Sequence, residues 1–339
     1  MPAEWHRHSA TWLTWPKDPE TWPDRVPQVE EIFLQMMAAL APNETVNLLV
    51  DDEEAEASVR RRCAISGAEN VRCHQIRTVD SWIRDYGPNF IVSGHGLAYN
   101  DWIFNAWGNK YEELKKDDTI PARLESLLKA PRFEPGIVME GGSIEVNGAG
   151  CVLTTEQCLL NPNRNPDLTK DEIEQCLKSH LGVEKVLWLG EGIVGDDTDG
   201  HIDDIARFVA PNVIVCAVED DPQDANYKIL QNNLGRLQTM TDVKGRPFEI
   251  VTLPMPGVVC GTSTGAPDRD RLPASYANFY IANNVVLVPV FGHTNDARAL
   301  EVLQRVFLDR RVIGINCEPL VWGMGTIHCV TQQQPETRS

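Results

Sequence analysis

The segment Asn147-Gly148-Ala149-Gly150-Cys151-Val152-Leu153 reads as a tight, glycine-rich turn running into an apolar strand. Asn and Gly accept the left-handed backbone that a short hairpin connection needs. The arrangement recurs. Gly94-His95-Gly96 precedes Leu97-Ala98-Tyr99, Pro211-Asn212 precedes Val213 to Val218, and Asn283-Asn284 precedes Val285 to Phe291. Each predicts a hairpin whose first strand begins with polar residues. The turn centres fall near 95, 148, 212 and 283, in steps of 53, 64 and 71. A fifth polar segment, Thr326-Ile327-His328-Cys329-Val330-Thr331, follows near the end, so 339 residues divide into five units of about 68.

Between the hairpins lie helix and strand signals. Residues 27–41 place Val29, Ile32, Phe33, Met36, Met37 and Leu40 at helical spacing between Pro27 and Pro42. Residues 170–181 follow a capping box, Thr169 with Glu172, and stop at Gly182. Further helices are predicted over 121–129, 222–239 and 295–308. Strands are expected at 45–50, 185–189, 248–253 and 312–316. A repeated unit of this kind predicts an α/β fold closed into a radial array of five, since closure protects sheet edges. An open α/β sheet is the alternative. No low-complexity linker divides the chain, so residues 1–339 read as one domain. Residues 256–275 are long for a connection and read as a candidate lid. The tail from Gln332 to Ser339 is expected to fray. The four tryptophans from Trp5 to Trp22 read as structural anchors, with rimming of an entrance as the other reading.

Charge narrows the partners. Thirty-one basic against 49 acidic residues give a net charge of −18. Such a chain offers no electrostatic footprint to phosphate backbones or anionic membranes. It suits a small cationic ligand. The longest clean apolar run, Val285 to Phe291, is too short to span a bilayer. The start carries no basic and apolar leader, and nine cysteines lie without a CxxC pair. These features predict free thiols in the cytoplasm. Cysteine and histidine spacings form no compact set, so neither a metal nor an organic cofactor is expected.

The polar segments carry the chemistry. They are Trp82-Ile83-Arg84-Asp85-Tyr86-Gly87-Pro88, Glu140-Gly141-Gly142-Ser143, Asp199-Gly200-His201-Ile202-Asp203-Asp204 and His328-Cys329. Taken singly, each has a plain reading. Cys329 suits a buried core, Asp85 an ion pair with Arg84, Glu140-Gly-Gly a turn, and His201-x-Asp203 a surface strand or a metal pair. At equivalent places of a repeat they would converge. A thiol and an imidazole read as nucleophile and acid/base. Three carboxylates beside a thiol hinder its ionisation unless a cation neutralises them. A planar guanidinium, with five donors, fits such a set.

The chain resembles the agmatine deiminases of the guanidino-group-modifying (pentein) superfamily. The resemblance is carried by Glu4-Trp5-His6-Arg7-His8, Trp12-Leu13-Thr14-Trp15-Pro16, Asp80 to Pro88, Glu140-Gly141-Gly142, Thr198 to Asp203 and Ile327 to Pro335. It implies a five-bladed α/β propeller of pseudo-fivefold symmetry. It implies hydrolysis of the guanidinium of agmatine to N-carbamoylputrescine and ammonia, on the way to putrescine, through a covalent Cys-amidino intermediate. Cys329 would be the nucleophile and His201 the general acid/base. Asp85 and Asp203 would hold the guanidinium, and Glu140 would touch both guanidinium and His201. The family's usual Gly-Gly-Gly-Asn run reads Gly323-Met324-Gly325-Thr326 here, which alters the pocket wall or the loop before Cys329. Trp82 is a candidate wall for the aliphatic tether and Asp197 a candidate ammonium contact. Free arginine would need a partner for its carboxylate, typically an Arg. Peptidyl-arginine or free-arginine deimination, a Cys–His amidase and a non-catalytic polyamine-binding protein stand as alternatives. A homo-oligomer is also compatible with the sequence.

Overall fold

A computed structural model of the chain describes residues 1–261 and 271–337. The architecture is mixed α/β, and the described strands form five small sheets. Four sheets share one plan, an antiparallel hairpin whose second strand pairs in parallel with a third. Asn89–Ser93 and Gly96–Asn100 form the first such hairpin, with Arg132–Phe133 added. Glu145–Val146 and Cys151–Thr155 take Lys185–Leu189. Ala206–Ala210 and Val213–Val218 take Glu249–Pro254. Tyr280–Ile281 and Val285–Val290 take Arg311–Asn316. The predicted turns sit at all four hairpins.

The parallel third strand needs a crossover, and helices supply it. The helices are Ile120–Leu128, Lys170–Leu181, Asn226–Thr239 and Asp296–Val306. Of the faces read from the sequence, Leu230, Leu237 and Leu303 are buried and Leu234 and Leu300 half-buried, and Lys170–Leu181 turns Leu177 and Leu181 inward. The capping box at Thr169 and the left-handed Gly182 stop both form.

The remaining sheet joins the two ends of the chain. His8–Thr14 pairs in parallel with Thr45–Val50, which pairs with Val71–Gln75. On its other side His8–Thr14 takes Gln332–Pro335 antiparallel. The tail therefore departs from the expected fraying as far as the described residues reach. Ladder bonds hold it, the Trp12 indole donates to Gln334 Oε1 at 2.8 Å, and the Glu336 amide donates to Arg7 O at 2.7 Å. This sheet also contains a helix and strand the sequence reading passed over, Glu53–Ser66 and Val71–Gln75. That helix buries only Val59 and Cys63, so its amphipathic signal is weak.

Two clusters of buried apolar side chains fill the space between elements, the larger one running through all five sheets. Trp12, Trp15 and Trp22 belong to it. Their role is anchoring, and Trp22 packs against Trp82 at 5.5 Å between ring centroids. Of the candidate lid, residues 262–270 lie outside the described residues. Among the described residues no helix is long and apolar enough to cross a membrane.

Candidate active site

Every sheet delivers its polar segment just before its first hairpin strand. Asp85 lies in the short helix Ile83–Tyr86, ahead of Asn89–Ser93. Glu140 leads a 3-10 turn at Gly141–Ser143, ahead of Glu145–Val146. His201 leads a second, Ile202–Asp204, which contains Asp203 and precedes Ala206–Ala210. Cys329 stands before Gln332–Pro335. A fifth contributor, Asn278, stands before Tyr280–Ile281 and was missed in the sequence. The one available signal was the repeat, which calls for a polar residue at that place in the fourth unit.

These segments meet. Asp85 Oδ1 accepts from the Gly142 amide at 2.9 Å, and Oδ2 accepts from the Trp107 indole at 3.0 Å. Asp85 Oδ1 lies 3.8 Å from His201 Nδ1, and Glu140 Oε2 lies 3.9 Å from His201 Nε2. The glycines of Glu140-Gly-Gly allow this approach. A Cβ on Gly142 would stand 2.6 Å from His201 Nδ1 and 2.8 Å from Asp85 Oδ1, and one on Gly141 would stand 2.1 Å from Arg84 O. Cys329 Sγ lies 3.8 Å from Asp203 Oδ2 and accepts from the Asn278 amide at 3.2 Å. Asn278 Oδ1 in turn accepts from Thr326 Oγ1 at 2.7 Å and from the His328 amide at 3.0 Å. Thr326, one of the two departures from the family pattern, thus orients the amide that faces the thiol. The other, Met324, adopts a left-handed backbone with φ 70° and lines the cavity beside Gly325.

A second layer of charge holds the first. Glu140 Oε1 accepts from Arg164 Nε at 2.6 Å. Arg164 also donates to Asp199 Oδ2 at 2.6 Å and to Thr198 O at 2.8 Å. His328 Nδ1 lies 2.7 Å from Asp203 Oδ2, and its Nε2 lies 2.8 Å from Glu4 Oε2. Glu4 pairs with Arg207 at 2.9 Å. Arg164, His328, Glu4 and Arg207 were not among the candidates. They act on the reacting groups through others, so chemistry-based reading of the motifs had no reason to pick them.

Electrostatics follow from burial. Asp85 is pushed well above the usual carboxylate range by burial and then by Asp203 and Glu140. Glu140 is raised by burial, with Arg164 opposing. Burial also works against the Asp203 carboxylate, but the hydrogen bond and charge of His328 hold it below its ordinary value. The Cys329 thiol is raised well above its ordinary value by burial and by Asp203, Asp204 and Asp85. His201 is pulled down to about 3, mainly by burial. Among the candidate reacting groups, two buried atoms lack a hydrogen-bond partner, His201 Nε2 and Asp203 Oδ1. A site of this kind is short of one cation that also offers hydrogen-bond donors.

A cavity of about 590 Å³ opens onto this centre, with Asp85 and Cys329 in its lining. Trp82 also lines it, with its indole held by Asp80 Oδ2 at 2.9 Å. Asp197 lines it too, but it is already engaged. It accepts from the Tyr111 hydroxyl and lies 3.4 Å from Lys110 Nζ, which also reaches Asp199 at 3.0 Å. The described lining carries seven carboxylates (Asp18, Glu20, Asp80, Asp85, Glu112, Glu113, Asp197), one lysine and no arginine.

The family model described as Porphyromonas-type peptidyl-arginine deiminase matches residues 1–335. The chain belongs to that family. Among curated members, the agmatine deiminase of Ectopseudomonas mendocina is 38% identical over 353 residues, covering 99% of this chain and 95% of that one. The agmatine deiminase of Enterococcus faecalis has a solved structure that is 36% identical, with a TM-score of 0.92 over 99% of this chain and 95% of that one. An agmatine deiminase of C. jejuni with substrate bound is 30% identical, with a TM-score of 0.88 over 99% of this chain and 96% of that one. Within the family, the enclosed acidic cavity is the feature that bears on the substrate.

Proposed function

We propose that the chain hydrolyses the guanidinium of agmatine to N-carbamoylputrescine and ammonia, a step toward putrescine. The observation that carries this reading is the cavity, in which seven carboxylates and a single committed lysine surround the approach to a buried thiol. Agmatine carries a guanidinium and an ammonium and no carboxylate. The carboxylate of free arginine would meet repulsion in such a lining and, among the described residues, no guanidinium partner. The five sheets are read as blades of a five-bladed α/β propeller with pseudo-fivefold symmetry, within one catalytic domain over 1–339. The cytoplasm is the compartment proposed.

The guanidinium docks between Asp85, Asp203 and Glu140, and Asp203 Oδ1 gains the donor it lacks. The positive charge removes the repulsion that keeps the Cys329 thiol protonated. Cys329 gives its proton to His201, and the thiolate attacks the central carbon. The protonated His201 passes that proton to the departing nitrogen, the C–N bond breaks, and ammonia leaves a thiouronium on Cys329. His201 then takes a proton from water. The hydroxide adds to the same carbon, the C–S bond breaks as the leaving thiolate takes a proton back from His201, the hydroxyl proton passes to solvent, and the urea and the free thiol are released. His201 lies 3.8 Å from Asp85 through Nδ1 and 3.9 Å from Glu140 through Nε2, beyond hydrogen-bond reach of either, so its ring is free to exchange that proton. Asp85 and Asp203 stabilise cationic species throughout, which is electrostatic preorganisation. Trp82 supplies a wall for the aliphatic tether, and Asp197 is proposed as a contact for the ammonium end.

The test is ammonia and ureido-product release from agmatine, free arginine and a blocked peptidyl-arginine. Turnover of agmatine alone is expected. Comparable turnover of either arginine substrate overturns the reading.

A further inference from the structure

Behind the reacting groups lies a cluster that the proposed reaction does not use in full. Cys158, in the short helix Glu156–Leu159, is fully buried, and its Sγ lies 4.0 Å from Glu140 Oε2. The same oxygen lies 3.9 Å from His201 Nε2. All three donor atoms fall within 4.8 Å of one another. Glu140 and Cys158 are 18 residues apart in the chain, so no sequence spacing announces the set. His201 Nε2 is buried, unpartnered and aimed into it. Arg164 occupies Oε1 of Glu140 and leaves Oε2 to the cluster.

We infer that Glu140, Cys158 and His201 form a binding site for a thiophilic divalent cation such as Zn²⁺. Thiolate, imidazole and carboxylate are the donors that such an ion takes in a tetrahedral site. Bond lengths near 2.0–2.3 Å put donors about 3.5 Å apart, so inward shifts of less than about 1 Å complete the set. Asp85 and Asp199, close to His201 and Arg164, offset the added charge. Binding releases one proton, from the Cys158 thiol, to solvent. The metal then immobilises the imidazole that exchanges protons in the proposed reaction, so a filled site stops turnover. That consequence rests on the reading of His201 given above, whereas the binding itself does not.

Three proteins test this, Cys329→Ala, Cys158→Ser and the double variant. Co²⁺ is the spectroscopic probe and Zn²⁺ the inhibitor. Co²⁺ bound to Cys329→Ala should give a thiolate-to-cobalt charge-transfer band, and the double variant should lose it. Zn²⁺ inhibition of ammonia release should weaken more than about tenfold in Cys158→Ser, as expected when a metal site loses one of its anchors. A band that survives in the double variant overturns the site. So does wild-type zinc sensitivity in Cys158→Ser, which would place the ion on Cys329. A Cys158-dependent band with undiminished turnover supports the site and refutes the assigned role of His201. Should Cys158→Ser not fold, X-ray absorption of Cys329→Ala with one equivalent of Zn²⁺ decides. A sulfur neighbour near 2.3 Å is expected, and a shell of nitrogen and oxygen alone overturns the proposal.

Discussion

The cavity has two ends built on different principles. At the inner end each reacting group is fixed by a buried partner. Asp85 is held by Trp107 and Gly142, Glu140 by Arg164, Asp203 by His328, and the Cys329 thiol by Asn278. At the outer end the charges are satisfied by one another at the surface. Glu112 pairs with Lys115 at 2.6 Å, Lys110 with Asp197 and Asp199, and Asp18 caps the Glu20 amide at 2.8 Å. Buried hydrogen-bonded charges are rigid and costly to break, whereas exposed pairs contribute little. On the proposed reading the inner end therefore sets the reaction, and the outer end tunes which tether reaches it.

The comparison is broken most directly at its centre. Cys329→Ala removes the proposed nucleophile and leaves the carboxylates. Turnover should fall by a factor on the order of 10⁴ or more, while agmatine binding, measured by calorimetry, persists. Ammonia release near the wild-type rate would remove Cys329 from the chemistry. His201→Asn should cost about 10²–10⁴ in kcat with a smaller change in KM, the range for losing a general acid/base.

One step out, Arg164→Gln asks whether the second layer matters. The groups around Glu140 are Arg164, Asp199, Cys158, His201 and, across the site, Asp85. Arg164 is the member that lowers the Glu140 pKa, so its loss raises that pKa further. The acidic limb of the kcat/KM profile should move to higher pH, and the rate at neutral pH should fall about 10–100-fold, which is about 1.4–2.7 kcal/mol. Arg164→Lys restores charge without the forked geometry and should recover part of both effects. An unmoved limb with reduced activity would make Arg164 a packing residue.

The same electrostatics predict a linkage that needs no turnover. Asp85 carries a raised pKa in the free site. A guanidinium favours its ionised form, so binding drives a proton off. Lowering pH through the raised pKa therefore weakens binding, up to about tenfold per pH unit for one linked proton. Cys329→Ala is the protein to use, because the thiol no longer titrates. Calorimetry in buffers of different ionisation heat would count the proton, and pH-independent affinity would sink the account of Asp85.

What the sequence shows divides along the same line. The four hairpins were legible because Asn147-Gly148 and its counterparts combine turn chemistry with an apolar strand, two local signals that agree. Asp85, Glu140, His201, Asp203 and Cys329 were legible as a set because motif, repeat and chemistry converge on them. Asn278 was hidden, since an Asn between Ala277 and Phe279 has no motif and works only through its distance from Cys329. Arg164 and Glu4 were hidden for a related reason. They are ordinary charged residues whose burial depends on contacts far along the chain, as in the Glu4–Arg207 pair. The tail was misread because Gln332-Gln333-Gln334 is polar, and only pairing with His8–Thr14 gives those residues a strand.

Asp197 is where the outer end should respond least. Its carboxylate already serves Tyr111 and Lys110, and it is partly exposed. An incoming ammonium would have to share it with Lys110, and solvent screens both interactions. Asp197→Asn keeps the hydrogen-bond shape and removes the charge. The expected result is a KM raised no more than about threefold, a change below about 0.7 kcal/mol at a screened surface site, with kcat unchanged. A tenfold rise in KM for agmatine, absent for a guanidino substrate lacking the ammonium, would show that the outer end binds the second charge as firmly as the inner end binds the first. A fall in kcat would mean something else. Asp199 shares Lys110 with Asp197 and holds Arg164 against Glu140, so a kcat effect at Asp197 would reveal that the rim and the reacting centre are joined through that chain of charges.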